Sequence, residues 1–309
     1  MIGANLFGGW LNVSFNVKQP IQKESKKWLV TIHSVKKMIV LIIIIHKIYL
    51  VTVKELQVAW KKERIKMLKF VKSKKLLNID NNAKTVKGQK YGFITAILYL
   101  APSTQSGFNV CPQASNGCKK ACLFTAGHGA FNNVKQGRIN KTRWYIQERK
   151  TFLDQLRKEI NAFIVKAKAK KLTPCIRLNG TSDISWENTG LIEEYKSIQW
   201  YDYTKIYKRA LKFVNGQLPK NYHLTYSLNE DNKKQAFDIL KKGGNISAVF
   251  RKDLPRKFNG YKVINADDSD LRFLDGHNII AGLMAKGKAK KDYSGFVLDV
   301  WTSYTNSYK

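Results

Sequence analysis

Phe93-Ile-Thr-Ala-Ile-Leu-Tyr-Leu100 is an apolar, β-prone run, and it leads into the loop Asn109-Val-Cys-Pro-Gln-Ala-Ser-Asn-Gly-Cys-Lys-Lys-Ala-Cys-Leu123. The loop contains three of the four cysteines in the chain, Cys111, Cys118 and Cys122, spaced C-x6-C-x3-C. A strand that ends in a cysteine loop is a common way to present thiolates to a metal. We therefore take this strand and its loop as the start of the folded domain and as the first place to look for a site.

Downstream of the loop, helix-like and strand-like segments alternate. Two helical patterns cover residues 132–149 and 152–171, and strand patterns recur at 174–179, 198–201, 222–228, 246–250, 261–265, 278–284 and 296–300. Strands that alternate with helices predict an α/β domain with a mainly parallel sheet. The count of about six to eight units favours a partial or full (β/α) barrel, with the three-cysteine loop after its first strand. An open doubly wound sheet is the alternative.

The first 66 residues differ in character from the rest. Their apolar run, Met38-Ile-Val-Leu-Ile-Ile-Ile-Ile45, is shorter than the roughly 18 apolar residues that a membrane span needs. The string Lys61-Lys-Glu-Arg-Ile-Lys-Met67 can be back-translated as a ribosome-binding sequence followed by a start codon. We expect Met67 to be the true start, residues 1–66 to be a translated upstream extension, and residues 67–309 to form a single barrel-like domain. On that expectation no membrane is a partner; otherwise residues 38–53 could associate with one.

The chain is strongly basic. It has 55 Lys and Arg against 22 Asp and Glu, a formal charge of +33, of which +9 lies in residues 1–66 and +24 in the remainder. Such an excess attracts polyanions, so nucleic acid is the natural class of partner. A Lys-rich composition inherited from AT-rich coding is the competing explanation.

The cysteine loop has the donor set of a metal site, although three interpretations stay open. Three close thiols and one distant thiol fit a reducing compartment better than a disulfide framework. Lys119 and Lys120 favour the thiolate form that ligation requires. Three thiolates suit a four-iron cluster with one open iron, or zinc with a fourth ligand such as His128 or Cys175. The third interpretation is a cysteine-bearing turn with no metal.

A second polar loop, Arg177-Leu-Asn-Gly-Thr-Ser-Asp183, directly follows a predicted strand. A barrel places its site in such loops. The short polar side chains and the glycine could offer backbone N–H groups and a carboxylate to a small polar ligand, or they could simply form a turn.

These motifs carry a resemblance to known families. A first strand, a three-cysteine loop and repeated β/α units resemble the radical S-adenosylmethionine superfamily, whose usual spacing is C-x3-C-x2-C. The stretch from Cys111 to Leu123, with Thr125-Ala-Gly-His-Gly129 and the loop 177–183, is similar to a bacteriophage family called gene product 88. This similarity covers most of residues 90–300.

The superfamily resemblance implies a [4Fe–4S] cluster on Cys111, Cys118 and Cys122. The open iron would bind the methionine part of S-adenosylmethionine, and reductive cleavage would yield a 5′-deoxyadenosyl radical. Asn179, Gly180, Ser182 and Asp183 would then contact the amino and ribose groups of S-adenosylmethionine.

The sequence thus predicts an iron–sulfur, radical S-adenosylmethionine-like phage enzyme in the cytoplasm of an infected bacterial host. Its basic charge favours a nucleic acid or nucleotide-type substrate. The alternative is a non-catalytic phage protein that binds nucleic acid and uses zinc or an iron–sulfur cluster only to stabilise its loop.

Overall fold

The computed structural model describes residues 25–66, 68–80, 83–125 and 127–299. The chain divides into two compact units, Met1–Ile65 and Lys66–Lys309. The described residues of the first unit belong to one helix, α1 (Ser25–Lys66). No helix among the described residues is both long enough and apolar enough to cross a membrane. The predicted start at Met67 lies outside the described residues and stays a prediction.

The second unit is an α/β domain with a ten-stranded, mostly parallel sheet. Its helices are α2 (Ala83–Lys87), α3 (Asn116–Lys120), α4 (Asn132–Gln147), α5 (Arg149–Ala169), α6 (Leu191–Glu194), α7 (Tyr207–Val214) and α8 (Lys233–Lys241). Its strands are β1 (Leu77–Ile79), β2 (Phe93–Leu98), β3 (Thr173–Arg177), β4 (Gln199–Thr204), β5 (Tyr222–Ser227), β6 (Ile246–Phe250), β7 (Lys257–Phe258), β8 (Tyr261–Asn265), β9 (Ile280–Met284) and β10 (Val297–Leu298).

The sheet is open, with strand order β1-β2-β3-β4-β5-β6-β9-β8-β7, and β10 pairs with β6 off this path. The run from β2 to β6 is parallel and sequential, as the alternating pattern predicts. Closure into a full barrel, one of the forms predicted from the sequence, is not seen among the described residues. The physical reason lies at the edges: β1 pairs antiparallel with the outer edge of β2, and the hairpin of β7 with β8 forms the other end. The outer edges of β2 and β8, which closure would have to join, are therefore already paired with β1 and β7.

The long helices pack against one face of the sheet. Aromatic and aliphatic side chains of α4 and α5, including Trp144, Phe152 and Phe163, are buried against Ile94 of β2 and Trp200 of β4. Helices α7 and α8 cover β5 and β6 in the same way. Because residues two apart in a strand share a face, Tyr222, Leu224 and Tyr226 all point toward this helix layer. This arrangement differs from the doubly wound alternative, because a doubly wound sheet carries such helices on both faces.

A small apolar cluster covers part of the opposite face of the sheet. Cys175, Tyr201 and Leu271 form a small buried cluster there with Phe93 and Phe273. Leu271 and Phe273 belong to the connection between β8 and β9, which crosses this face at the level of Cys175 and Tyr201. The next residues along the same face, Arg177 and Tyr203, stay accessible from the carboxyl ends of the strands and line a cavity.

Candidate functional site

The cavity lies at the carboxyl edge of the parallel sheet and has a volume of about 420 Å³. This volume is in the range of small-molecule sites, roughly 300–1,000 Å³. The cysteine loop, with Cys111, Cys118 and Cys122, and the loop of residues 179–183 both line it. The two motifs that the sequence singled out thus meet across one space. Parallel pairing explains the meeting, because β2 and β3 are neighbours with Ile97 opposite Arg177.

The helix α3 positions the second cysteine. Ser115 caps this helix, because its hydroxyl oxygen accepts a hydrogen bond from the backbone N–H of Cys118 at 3.2 Å. Glu230, which follows β5, braces the same turn: its carboxylate accepts from the Ser115 hydroxyl at 2.7 Å and from the Gly117 N–H at 2.6 Å. The helix ends at Lys120 with Ala121 as its C-cap, so Cys122 lies just beyond the helix.

The three thiols lie close enough to influence one another electrostatically. The Cys111 thiol points to the carbonyl oxygen of Thr181 at 3.7 Å, so it directly joins the two loops. Burial raises the pKa of Cys111 to about 12, against a lowering contribution from the backbone N–H of Ser103. Burial also raises the pKa of Cys122, opposed by the backbone N–H of Phe124. The bare thiols of Cys111 and Cys122 are therefore protonated at neutral pH, and a metal that bound them would displace the protons.

Two cations face this thiol group. Burial alone would lower the pKa of Lys205, but Cys118 and Cys111 in their thiolate forms, together with the Asp183 carboxylate, outweigh burial and raise it. Arg138 lies over the ring of Phe124, 5.6 Å from its centroid. Both cations would stabilise the negative charge that three thiolates bring to a metal centre.

The predicted ligand-binding residue Asn179 holds its own loop together. It is buried, and its side-chain oxygen accepts from the Ser182 hydroxyl, the Ile184 N–H and the Trp186 indole N–H. Its amide nitrogen donates to the Ile184 carbonyl oxygen at 2.9 Å and to the Asp202 carboxylate at 3.2 Å. Because these bonds use its donors and acceptors, the amide acts on a ligand chiefly by fixing the loop that faces it.

Asp183 and Gly180 also have structural partners. The Asp183 carboxylate accepts from the Lys205 backbone N–H at 2.7 Å and pairs with the buried Arg209 guanidinium at 3.0 Å. Gly180 lies where a Cβ atom would come within 2.7 Å of the carbonyl oxygen of Leu98. These two residues hold the loop against β2 and β4, and their contact with a cofactor stays a prediction.

The wall of the cavity opposite the cysteines is cationic and aromatic. The Arg177 guanidinium lies 4.6 Å from the centroid of the Tyr203 ring and pairs with Asp270 at 3.1 Å. Nearby, the ammonium groups of Lys84 and Lys286 both lie 2.7 Å from the same oxygen of Asp267. Two cations on one carboxylate leave an excess positive charge on this wall, which suits an anionic ligand.

The residues proposed as a fourth zinc ligand lie elsewhere. His128 is exposed and packs edge-on against Phe131. Cys175 is buried in β3, where its thiol lies 3.1 Å from the Thr95 hydroxyl. The part of the chain that the structure describes contains no group of three or more His, Cys, Asp or Glu side chains placed to hold one metal ion.

Sequence reasoning missed most of the cationic cavity wall. Lys205 follows the last residue of β4, so the rule that polar residues at strand ends form sites could have found it. Arg177 belongs to the quoted motif but was not singled out. Lys286 lies two residues after the predicted strand 278–284, so the same rule could have found it. Lys84 lies before the first predicted strand, and only the fold brings it to Asp267.

Comparisons with known proteins point to one family. No curated protein matches the chain, and no solved structure matches it. The family model described as Gene product 88 matches residues 70–299, which include the whole cavity described above. Since this match spans well over half of the sequence, the chain belongs to the Gene product 88 family, a family of phage proteins.

Proposed function

We propose that this protein is an iron–sulfur enzyme of the radical S-adenosylmethionine type, with its site in the cavity between the cysteine loop and the loop 179–183. The observation that carries the proposal is the convergence of Cys111, Cys118 and Cys122 with that second loop on one space at the carboxyl edge of a parallel sheet. Ligands of open parallel sheets bind at this edge. The substrate class that we propose is a nucleic acid or nucleotide, and the proposed place of action is the cytoplasm of an infected bacterial host.

The donor chemistry of the cavity fits such a cofactor. Iron–sulfur clusters are held by cysteine thiolates, and the three cysteines would supply three of them. Backbone N–H groups of Ser103 and Phe124 are directed at two of the sulfurs. Hydrogen bonds to cluster sulfurs tune reduction potential. When bound, such a cluster supplies the electron that cleaves S-adenosylmethionine.

The chain itself would bind and orient the reactants. Lys205 lies beside the thiols and can pair with a carboxylate of a bound cofactor. The loop 179–183, held rigid by Asn179, would present its backbone to that cofactor. The cationic wall around Arg177 and Lys84 would bind an anionic part of the substrate, and the apolar residues Leu283 and Phe296 help to exclude water.

The proposal is tested by purifying the protein without oxygen and measuring iron, sulfide and zinc per chain together with the visible spectrum. We expect iron and sulfide, and we expect Cys111→Ser, Cys118→Ser and Cys122→Ser each to reduce both. Cys175→Ser is the matched control, because Cys175 is buried away from the cavity, and it should retain iron. Zinc without iron would overturn the proposal. Release of 5′-deoxyadenosine from S-adenosylmethionine under reducing conditions then tests the catalytic step.

A non-catalytic metal protein that binds nucleic acid is the second candidate. It is favoured by the number of contacts that hold the cysteine loop without a ligand, notably those of Glu230 with Ser115 and Gly117. A metal that only stabilised this loop would give a bound ion or cluster with no turnover of S-adenosylmethionine. The same two measurements therefore separate the candidates.

A further inference from the structure

We propose that the rim of the cavity binds single-stranded nucleic acid. The rim, here called the lysine rim, consists of Lys119, Lys120, Lys288, Lys291 and Tyr293. The lysines would contact phosphates, and Tyr293 would stack on an unpaired base. This inference rests on the proposed function only for the claim that the bound strand is a substrate. Binding of the strand to the rim does not require catalysis.

Two segments distant in sequence form the lysine rim. One is α3 with its C-cap, and the other is the 3-10 turn Gly287–Lys291. They pack together through Ala121 and Ala289, which share a small apolar cluster. Lys119 lines the cavity itself, while Lys120, Lys288, Lys291 and Tyr293 line a shallow depression beside it. A strand lying on the rim would therefore pass the cavity mouth.

The charges of the lysine rim are not neutralised from within. Its four lysines are exposed, and they form no ion pair with the described residues. Asp292 lines the same depression, but it is buried and its carboxylate accepts from the Ser294 hydroxyl at 2.8 Å and from the Val297 N–H at 3.1 Å, so it adds one negative charge beside four lysines. Glu230 is turned to the cap of α3. Unpaired cations of this density attract the phosphates of a polyanion.

Tyr293 distinguishes this patch from the general surface charge. Its side chain is 82% exposed, yet the ring is supported from behind by the Arg251 guanidinium, 4.4 Å from its centroid. Arg251 is itself held by Asp299 at 2.6 Å and by the Lys290 carbonyl oxygen at 2.9 Å. An exposed ring on a fixed support is ready to stack without losing much conformational freedom.

The stacking ring is the reason to infer a single strand. An aromatic side chain can stack on a base only when the base is not already covered by its neighbours, as in a splayed single strand. Lysines alone would bind a duplex as readily. The combination of a basic track with an accessible ring is the arrangement by which proteins bind single strands without sequence preference.

The stacking role is tested with a short fluorescein-labelled oligonucleotide, single-stranded or annealed to its complement, by fluorescence anisotropy on the full chain. We expect Tyr293→Leu to weaken single-strand binding on the order of tenfold, since one stacked base contributes about 1–3 kcal/mol. Tyr293→Phe keeps the ring and should bind as the wild type does. Equal affinity for single strand and duplex, or no effect of Tyr293→Leu, would overturn the inference.

The charge role is tested by the salt dependence of binding. Lys288→Glu combined with Lys291→Glu should make the negative slope of log affinity against log salt shallower by about 1.4, because each lost single-strand phosphate contact removes roughly 0.7. Lys166→Glu combined with Lys168→Glu makes the same change in charge on the exposed side of α5, and should leave the slope close to that of the wild type. Equal losses in the two double variants would overturn the lysine rim as the binding surface.

The iron content of the same preparations separates this inference from the proposed function. Binding that depends on Tyr293 in a protein without iron would support the rim and contradict the enzyme. Iron and sulfide in a protein that does not bind the oligonucleotide would contradict the rim and leave the enzyme standing.

Discussion

Asp202 is the residue whose protonation most directly affects the site loop. It is buried in β4 and accepts hydrogen bonds from the Asn179 N–H at 2.7 Å and from the Tyr222 hydroxyl at 3.0 Å. Burial raises its pKa to about 7, against the lowering effect of Arg209 and of the Asn179 N–H. The folded protein therefore binds a proton at Asp202 under conditions in which an unfolded aspartate has lost it.

This raised pKa predicts a pH-dependent loss of stability. An unfolded aspartate titrates near about 4, so between about pH 4 and 7 the folded state holds more protons, and stability falls as the pH rises. Relative to Asp202→Asn, which cannot titrate, the free energy of unfolding of the wild type should fall by up to roughly 4 kcal/mol across that window. Urea unfolding at a series of pH values measures the difference. If the free energy of unfolding had the same pH dependence in the wild type and in Asp202→Asn, the prediction would be contradicted. Asp231→Asn, at an exposed position, is the control and should show the pH dependence of the wild type.

Gly180 provides a second test at the scale of a residue. Its added Cβ would meet the carbonyl oxygen of Leu98 at 2.7 Å and the Tyr99 ring at 2.6 Å. Because a backbone oxygen cannot move aside easily, Gly180→Ala should destabilise the fold by about 1–3 kcal/mol.

The control for this substitution is Gly137→Ala. Gly137 lies in α4 with nothing within 4 Å of an added Cβ, and alanine is the better helix former by about 1 kcal/mol. The midpoint temperature of thermal unfolding should therefore fall in Gly180→Ala and rise in Gly137→Ala. A Gly180→Ala protein as stable as the wild type would show that the loop is free to retreat from β2.

At the residue scale, the sequence identifies the motifs that line the cavity more accurately than it predicts the role of each side chain in them. The three cysteines and the loop 179–183 do share one cavity. The Asn179 side chain, however, is committed to Ile184, Trp186 and Asp202. A polar residue after a strand has the same appearance in sequence whether its amide faces a ligand or its own loop. The deciding partner, Asp202, comes from another strand.

At the scale of elements, α3 depends on a partner far away in sequence. Its N-terminal turn is held by Glu230, whose carboxylate accepts from Ser115 and Gly117. Glu230→Gln replaces one acceptor oxygen with a donor, so one of those bonds is lost. Hydrogen bonds to charged groups contribute about 1.5–3 kcal/mol, and we expect a stability loss of that size together with less iron per chain. Glu193→Gln, at an exposed position, should change neither quantity.

The outcome that would contradict this role of Glu230 is also specific. If Glu230→Gln lowers stability but retains all of its iron, the carboxylate stabilises the fold without positioning Cys118. If neither changes, the Glu230 carboxylate has no role in holding α3. Iron analysis and urea unfolding on one preparation distinguish these outcomes.

Strands and helices were predicted accurately where a clear pattern of apolar residues covered a whole segment. The strands 246–250 and 261–265 were predicted with the bounds that the structure shows. The helix expected over residues 152–171 instead spans Arg149–Ala169, and within it the Thr151 hydroxyl accepts a hydrogen bond from the Trp144 indole N–H. Short elements such as β1 and β7 carry too few residues to show a period, and they exist through their pairing with β2 and β8.

For the molecule as a whole, the sequence predicts an α/β class and a parallel sheet but not the ending of that sheet. Alternation of strands and helices reports local order, whereas closure depends on which edges pair. The antiparallel partner of β2, Leu77–Ile79, is three residues long, and nothing in those three residues indicates that they occupy the edge that a barrel would need.

The last prediction concerns the part of the chain that the fold needs. Every buried residue in the described part lies between Leu76 and Leu298, whereas most of the large apolar side chains from Met38 to Val58 in α1 are exposed. A chain that begins at Met67 should therefore keep the cooperative thermal unfolding of the full chain, and it should aggregate less, because exposed apolar surface promotes association. Differential scanning calorimetry and size-exclusion chromatography measure the two effects. Loss of the cooperative transition in the shorter chain would show that residues 1–66 stabilise the domain, and the expectation that they are a dispensable extension would then be wrong.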